Sequence, residues 1–209
     1  PSPDIATLTA LGLQERIVFL DRLPDSDKWN LFAECELFLA PSKSENFGMV
    51  IAEALQSEFF AVYQSMFPEP AYQPSAEQIA ARSLKNLSLD YLMLLETPEV
   101  LELCVRQFSN ATNMTDEIAA FVCLINSSFG TEKAAALQSF YDKWCNEALV
   151  LNQWLMVQAG CPTPGTLEHV KTLMQHPSFD IRNPNKVRAL IGTFCGQNPV
   201  QFHDISGAG

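Results

Sequence analysis

Basic residues are scarce in this chain: 13 Lys and Arg stand against 24 Asp and Glu, a net charge of −11 over 209 residues. Such an acidic surface repels phosphate backbones and anionic headgroups, which excludes nucleic acid and membrane surfaces as partners. The imbalance is shared, −5 over residues 1–55 and −6 over the remainder, so neither half hides a basic domain. Histidine is scarcer still, with only His169, His176 and His203. No H-E-x-x-H occurs, so the helix that would give a zinc peptidase two imidazoles and a glutamate is missing. His169 and His176 are seven apart and could share a helix face, but His176 falls at a helix end before Pro177. No metal site and no cofactor are expected. The six cysteines, at 35, 104, 123, 145, 161 and 195, include no C-x-x-C pair. No apolar run approaches the roughly 18 residues of a membrane span, and no signal peptide is expected. A cytoplasmic protein with reduced, packed cysteines is the expectation. The N-x-S/T sequons starting at Asn86, Asn110, Asn113 and Asn126 are then chance occurrences.

What remains is globular, with 47% apolar and 18% charged residues. The first fifth alternates strand and helix. Arg16-Ile17-Val18-Phe19-Leu20 is short, apolar and β-rich, as a buried parallel strand would be. Pro24-Asp25-Ser26-Asp27 starts a helix whose apolar face is Trp29, Leu31, Phe32 and Cys35. Glu36-Leu37-Phe38-Leu39-Ala40 is a second strand, stopped by Pro41, and Gly48 sits near the start of another helix carrying Val50, Ile51, Ala54 and Leu55. This is a βαβα unit with two parallel strands, and ligands of such units bind beyond the carboxyl ends of the strands. The loop 41–46 lies there, ahead of a helix N-terminus that favours an anion. Glu45 falls in the loop and Glu53 two turns into the helix, which suits one carboxylate near a sugar and one near a ribose.

Over residues 7–55 the P-S-x-x-E-x-F-G block and its E-x7-E spacing, carried by Glu45, Phe47, Gly48 and Glu53, resemble the C-terminal half of retaining glycosyltransferases. The resemblance implies that Glu45 lies by the donor sugar and that Glu53 binds the ribose hydroxyls of a nucleotide. It does not extend to an acceptor domain or to the basic residues that clamp the diphosphate, and Asp21 stands where that family commonly has glycine. Two readings stay open for the four residues: a retained nucleotide-sugar site, or side chains that now only pack the βαβα unit. Two strands cannot bury both faces alone, so the unit needs a covering partner.

From residue 56 the pattern is helical. One helix reaches about Ser65, and prolines 68, 70 and 74 mark a loop. Ser75 with Gln78 forms a capping box for a helix bearing Ile79, Leu84, Leu87 and Leu92. Further helices are predicted over 98–109, 115–128, 131–145, 147–159, 166–175 and 184–195. Thr97-Pro98 and Asn183-Pro184 each place a cap residue before a proline at the first helical position. Asn113, Asn183 and Asn185 read as caps or loop ties, and Tyr141, Trp144 and Trp154 as core rather than a ligand box. Successive helices with short loops give an irregular helical array or α-solenoid.

The blocks 110–116, Tyr141-Asp-Lys-Trp144 and 175–194, with Asn198-Pro199 and Phe202-His203, resemble the C-terminal helical domain of bacterial aminopeptidase N, a family of zinc metallopeptidases. That resemblance covers residues 59–205 and implies a channel-lining place for Arg188, near the substrate. The chain thus reads as mainly α, with a glycosyltransferase-like fragment over 1–55 and a truncated aminopeptidase-like helical domain over 56–209. The expectation is a chimeric, non-catalytic folded domain. The alternatives are a weak nucleotide-sugar module through Glu45 and Glu53, or a non-catalytic fragment or subunit of either enzyme. Self-association is expected from the apolar surface that a truncated solenoid exposes.

Overall fold

The structure, a computed structural model, describes residues 47–67 and 71–203. Among the described residues every regular element is helical, which makes the chain mainly α. The strands expected at 16–20 and 36–40, and the loop 41–46, lie outside the described residues. The βαβα unit therefore gains no support among the residues that are described.

The chain divides into two units, residues 1–56 and 57–209. In the first, α1 spans Phe47–Ala54 and buries Ala52. α1 ends at Ala54, Leu55 is a turn residue, and α2 begins at Gln56 and runs to Ser65. Leu55 N–H still donates to Ile51 O at 2.9 Å, so the interruption is one residue long.

In the second unit the helices follow in short-looped succession. They are α3 (Ala76–Met93), α4 (Pro98–Asn110), α5 (Met114–Asn126), α6 (Gly130–Trp144), α7 (Ala148–Gly160) and α8 (Thr166–Leu173). Three of these helices start at a side-chain cap. Ser75, Thr97 and Asn113 accept hydrogen bonds from the backbone N–H three residues on, satisfying donors that have no partner inside the helix. Only half of the expected capping box forms. Gln78 does not reach back to Ser75; its carboxamide ties down the preceding loop, accepting from Gln73 N–H at 2.7 Å and donating to Ala71 O at 3.0 Å. Between α3 and α4, Glu96 takes a left-handed backbone (φ 47°) that costs a non-glycine residue strain. Its carboxylate accepts from Ser128 N–H and Ser128 Oγ, across to the α5–α6 turn, and these bonds offset that cost.

Successive helices pack as neighbours: α4 and α3 on α5, α5 on α6, α6 on α7, α7 on α8. On α4 the buried residues are Val100, Leu103, Cys104 and Gln107, a three-and-four spacing that puts one stripe against α5. Phe108, Phe121 and Phe140 stack in sequence and join α4, α5 and α6, with Phe121 and Phe140 centroids 4.4 Å apart. Tyr141, Trp154 and His176 form a second cluster, which places Tyr141 and Trp154 in the packing as expected.

The end of the array departs from expectation. The single helix expected over 184–195 is three pieces: α9 (Pro184–Val187), a π-helical segment Arg188–Gly192, and α10 (Thr193–Gln197). Thr193 N–H reaches back five residues to Arg188 O, and Thr193 Oγ1 donates to the same carbonyl at 3.4 Å. A short α11 (Pro199–Phe202) follows, capped by Asn198. Asn198 also donates to Ala159 O and Cys161 O, pinning this end onto α7.

Candidate functional site

Of the four residues predicted to bind nucleotide sugar, three fall on one described helix and one does not. Glu45 lies among the undescribed residues, Phe47 and Gly48 open α1, and Glu53 is half-buried in the second turn of the same helix. Arg188 stands exposed as the first residue of the π-helical segment. His169 and His176 do not join around a common ion. His169 Nε2 is 2.8 Å from Gln158 Oε1, whereas His176 Nδ1 accepts from Ser178 N–H at 3.1 Å. Among the described residues no three His, Cys, Asp or Glu side chains are grouped to hold a metal.

The polar centre of the helical unit lies elsewhere, in a cleft of about 530 Å³ between α2, α4 and the start of α5. Tyr63, Gln107 and Asp116 line its buried part, with Gln64, Phe67, Arg106, Asn110 and Thr112 nearer the surface. Behind it is an ion pair that is almost wholly withdrawn from water: Lys85 Nζ donates to Asp116 Oδ2 at 2.9 Å, the side chains being 2% and 1% exposed. Two charges removed from water need every lone pair and proton occupied. Asp116 has that company. Asn86 Nδ2 donates to its Oδ1 and Asn113 Nδ2 to its Oδ2, both at 2.8 Å. Gln107 extends the network, donating to Asn86 Oδ1 and Asp116 O while accepting from the Tyr63 hydroxyl at 3.1 Å. The Lys85 ammonium also lies 5.5 Å from the centroid of the Phe67 ring.

The next residue repeats the theme nearer the surface. Glu117 is buried, yet its partner Lys143 is half-exposed and donates to both carboxylate oxygens at 3.0 Å. Trp144 Nε1 adds a third bond at 2.9 Å. The donors on the floor of the cleft are thus occupied, and the groups facing outward are carboxamides, a hydroxyl, one guanidinium and an aromatic ring. That lining suits hydrogen bonding to a small polar ligand; it lacks a poised nucleophile and base.

Sequence reasoning missed this network. Its signal was present on α3, whose buried residues are Lys85, Ser88, Leu89, Leu92 and Met93, while Ile79, Leu84 and Leu87 are about half-exposed. Of the four apolar residues expected on that helix, only Leu92 is buried. A lysine four residues before Leu89 and seven before Leu92 lies on the core stripe, where it needs a buried acid.

Residues 41–209 match the family described as "Domain of unknown function (DUF3458_C) ARM repeats", and residues 5–72 match glycosyl transferases group 1. The two matches overlap across 41–72. Aminopeptidase N of Escherichia coli is 38% identical over 159 residues, 76% of this chain and 18% of that protein. Aminopeptidase N of Caulobacter vibrioides is 39% identical over 138 residues, 66% of this chain and 16% of that one. The N-terminal likeness includes the lipopolysaccharide core biosynthesis mannosyltransferase LpcC of Rhizobium leguminosarum, 40% identical over 52 residues, 25% of this chain and 14% of the relative. Among solved structures, Legionella pneumophila aminopeptidase A in complex with aspartic acid superposes with a TM-score of 0.69 at 30% identity, over 77% of this chain and 20% of that one. The chain spans about a fifth of the length of the aminopeptidases it matches.

Proposed function

Because the chain belongs to the family of ARM-repeat domains matched over residues 41–209, we propose that these 209 residues act as a folded helical domain without catalysis of their own. The observation that carries this reading is the use made of the buried acids. Asp116 and Glu117, the buried carboxylates among the described residues, are each bound by a lysine and by further donors that hold helices together. Acids engaged in this way are structural, because a general base must be able to accept and release a proton from substrate. The absence of any H-E-x-x-H in the sequence supports the same reading. Its test is hydrolysis of aminoacyl anilides with zinc supplied. No turnover is expected, and turnover that co-purifies with the chain and is lost on chelation overturns the proposal.

A second reading has its own support. The match of residues 5–72 to glycosyl transferases, with α1 opening at Phe47-Gly48 and carrying Glu53, favours residual nucleotide-sugar binding at the N-terminal unit. A thermal-shift titration with nucleotide sugars tests it. At about 100 times the dissociation constant a ligand adds roughly 2.7 kcal/mol, several degrees for a chain of this size. A shift abolished by Glu53→Ala supports binding; no shift at millimolar ligand removes this reading and leaves the first.

A further inference from the structure

One contact between two nucleophilic side chains lies outside the cleft and its network. Lys133, on α6, donates from Nζ to Cys161 Sγ at 3.5 Å, and Cys161 caps the C-terminus of α7. The sulfur is buried, lies 3.1 Å from Thr163 Oγ1, and donates to Ile125 O on α5 at 3.3 Å. These contacts hold the thiol in one place with an amine directed at it. Lys133 is only partly exposed, and its charge acts on His169.

We propose that Lys133 and Cys161 form an oxidation-dependent covalent cross-link in which one oxygen atom joins the amine nitrogen to the sulfur. The oxidant is dioxygen. The thiol, the ammonium group and one O2 give the S–O–N bridge, one water and one proton, which passes to solvent. The S–H bond and two N–H bonds break, and S–O and O–N bonds form. Sulfur and nitrogen each lose two electrons, and the four reduce both oxygen atoms of O2. An inserted oxygen spans most of the 3.5 Å gap, so the helices need move little. A direct S–N bond would require a much closer approach. The cross-link joins α6 to the end of α7 across 28 residues of chain, removes freedom from the unfolded state, and so stabilises this part of the array.

Air-equilibrated and fully reduced protein are compared by intact mass, tryptic peptide mapping and thermal melting. The expected product is about 14 Da heavier, one oxygen gained and two hydrogens lost. It is recovered as a peptide joining Lys133 to Cys161, melts several degrees higher than the reduced chain, and reverts with excess dithiothreitol. Lys133→Arg keeps the positive charge but should give no joined peptide. A direct S–N link, oxygen additions on Cys161 without a joined peptide, or an unmodified Lys133–Cys161 pair after oxidation each overturns the proposal. Because peptide mapping reads the native chain, the outcome does not depend on whether the variant folds.

Discussion

Asp116 and Glu117 are neighbours on one helix turn, both buried and each bound to a lysine, yet they belong to two differently built regions. Asp116 faces α3 and the cleft, where its partner Lys85 is as deeply buried as itself. Glu117 faces α6, where Lys143 keeps half its surface in water. In the first region the helices meet through a closed network of Lys85, Asn86, Gln107, Asn113 and Tyr63. In the second they meet through stacked rings, with one acid tethered at the edge. A buried lysine cannot turn to solvent when its acid is lost, whereas a half-exposed one can, so the same chemical deletion should cost very different amounts.

The largest effect is therefore expected from Asp116→Ala. It leaves the Lys85 charge buried without its carboxylate and removes the acceptor for Asn86 and Asn113, a loss of about 3–5 kcal/mol. For a chain of this length that corresponds to roughly 6–20 °C in Tm, measured by circular dichroism or calorimetry. A variant that melts within a degree of the parent would show that the network contributes little to holding α3 on α5.

Glu117→Gln should cost about 1 kcal/mol. The amide oxygen still accepts from Trp144 Nε1, and water replaces the carboxylate around Lys143. Equal losses for the two variants would break the comparison, because they would mean that partner exposure does not govern the cost.

The sequence made legible what is local. The boundaries at 98, 114 and 184 were readable within a residue because Thr97, Asn113 and Asn183 cap the helices that follow them, two of them before a proline. The cleft was not legible, because Lys85 and Asp116 are 31 residues apart and nothing local tells a lysine on a helix that an acid will face it. Asn113 shows the division within one residue: its cap to Asp116 N–H was predictable, whereas its second bond, to Asp116 Oδ2 within the Lys85 network, depends on tertiary packing. The rotation of α3, with Lys85 inward and Leu84 and Leu87 outward, has the same origin. A satisfied buried charge overrides the apolar pattern that period-counting reads. The π-helical segment likewise depends on a side chain folding back, Thr193 onto Arg188 O, which hydrophobic spacing does not encode.

The smallest effect is expected away from both carboxylates, on α8. His169 is held below the ordinary imidazole range, first by burial and then by the charge of Lys133, while its ring pairs with Gln158. In the unfolded chain it titrates near about pH 6.5. Between the folded and unfolded values the unfolded chain binds more protons, so stability rises with pH across that interval. The contribution is complete above about pH 6.5 and is lost as the pH falls below it towards the folded value. His169→Gln removes this dependence while keeping a polar group beside Gln158. The melting-temperature difference, parent minus variant, should therefore be larger at about pH 7.5 than at about pH 5.5. The opposite trend would mean that the folded protein prefers the charged imidazole, and would place His169 beside an acid rather than beside Lys133.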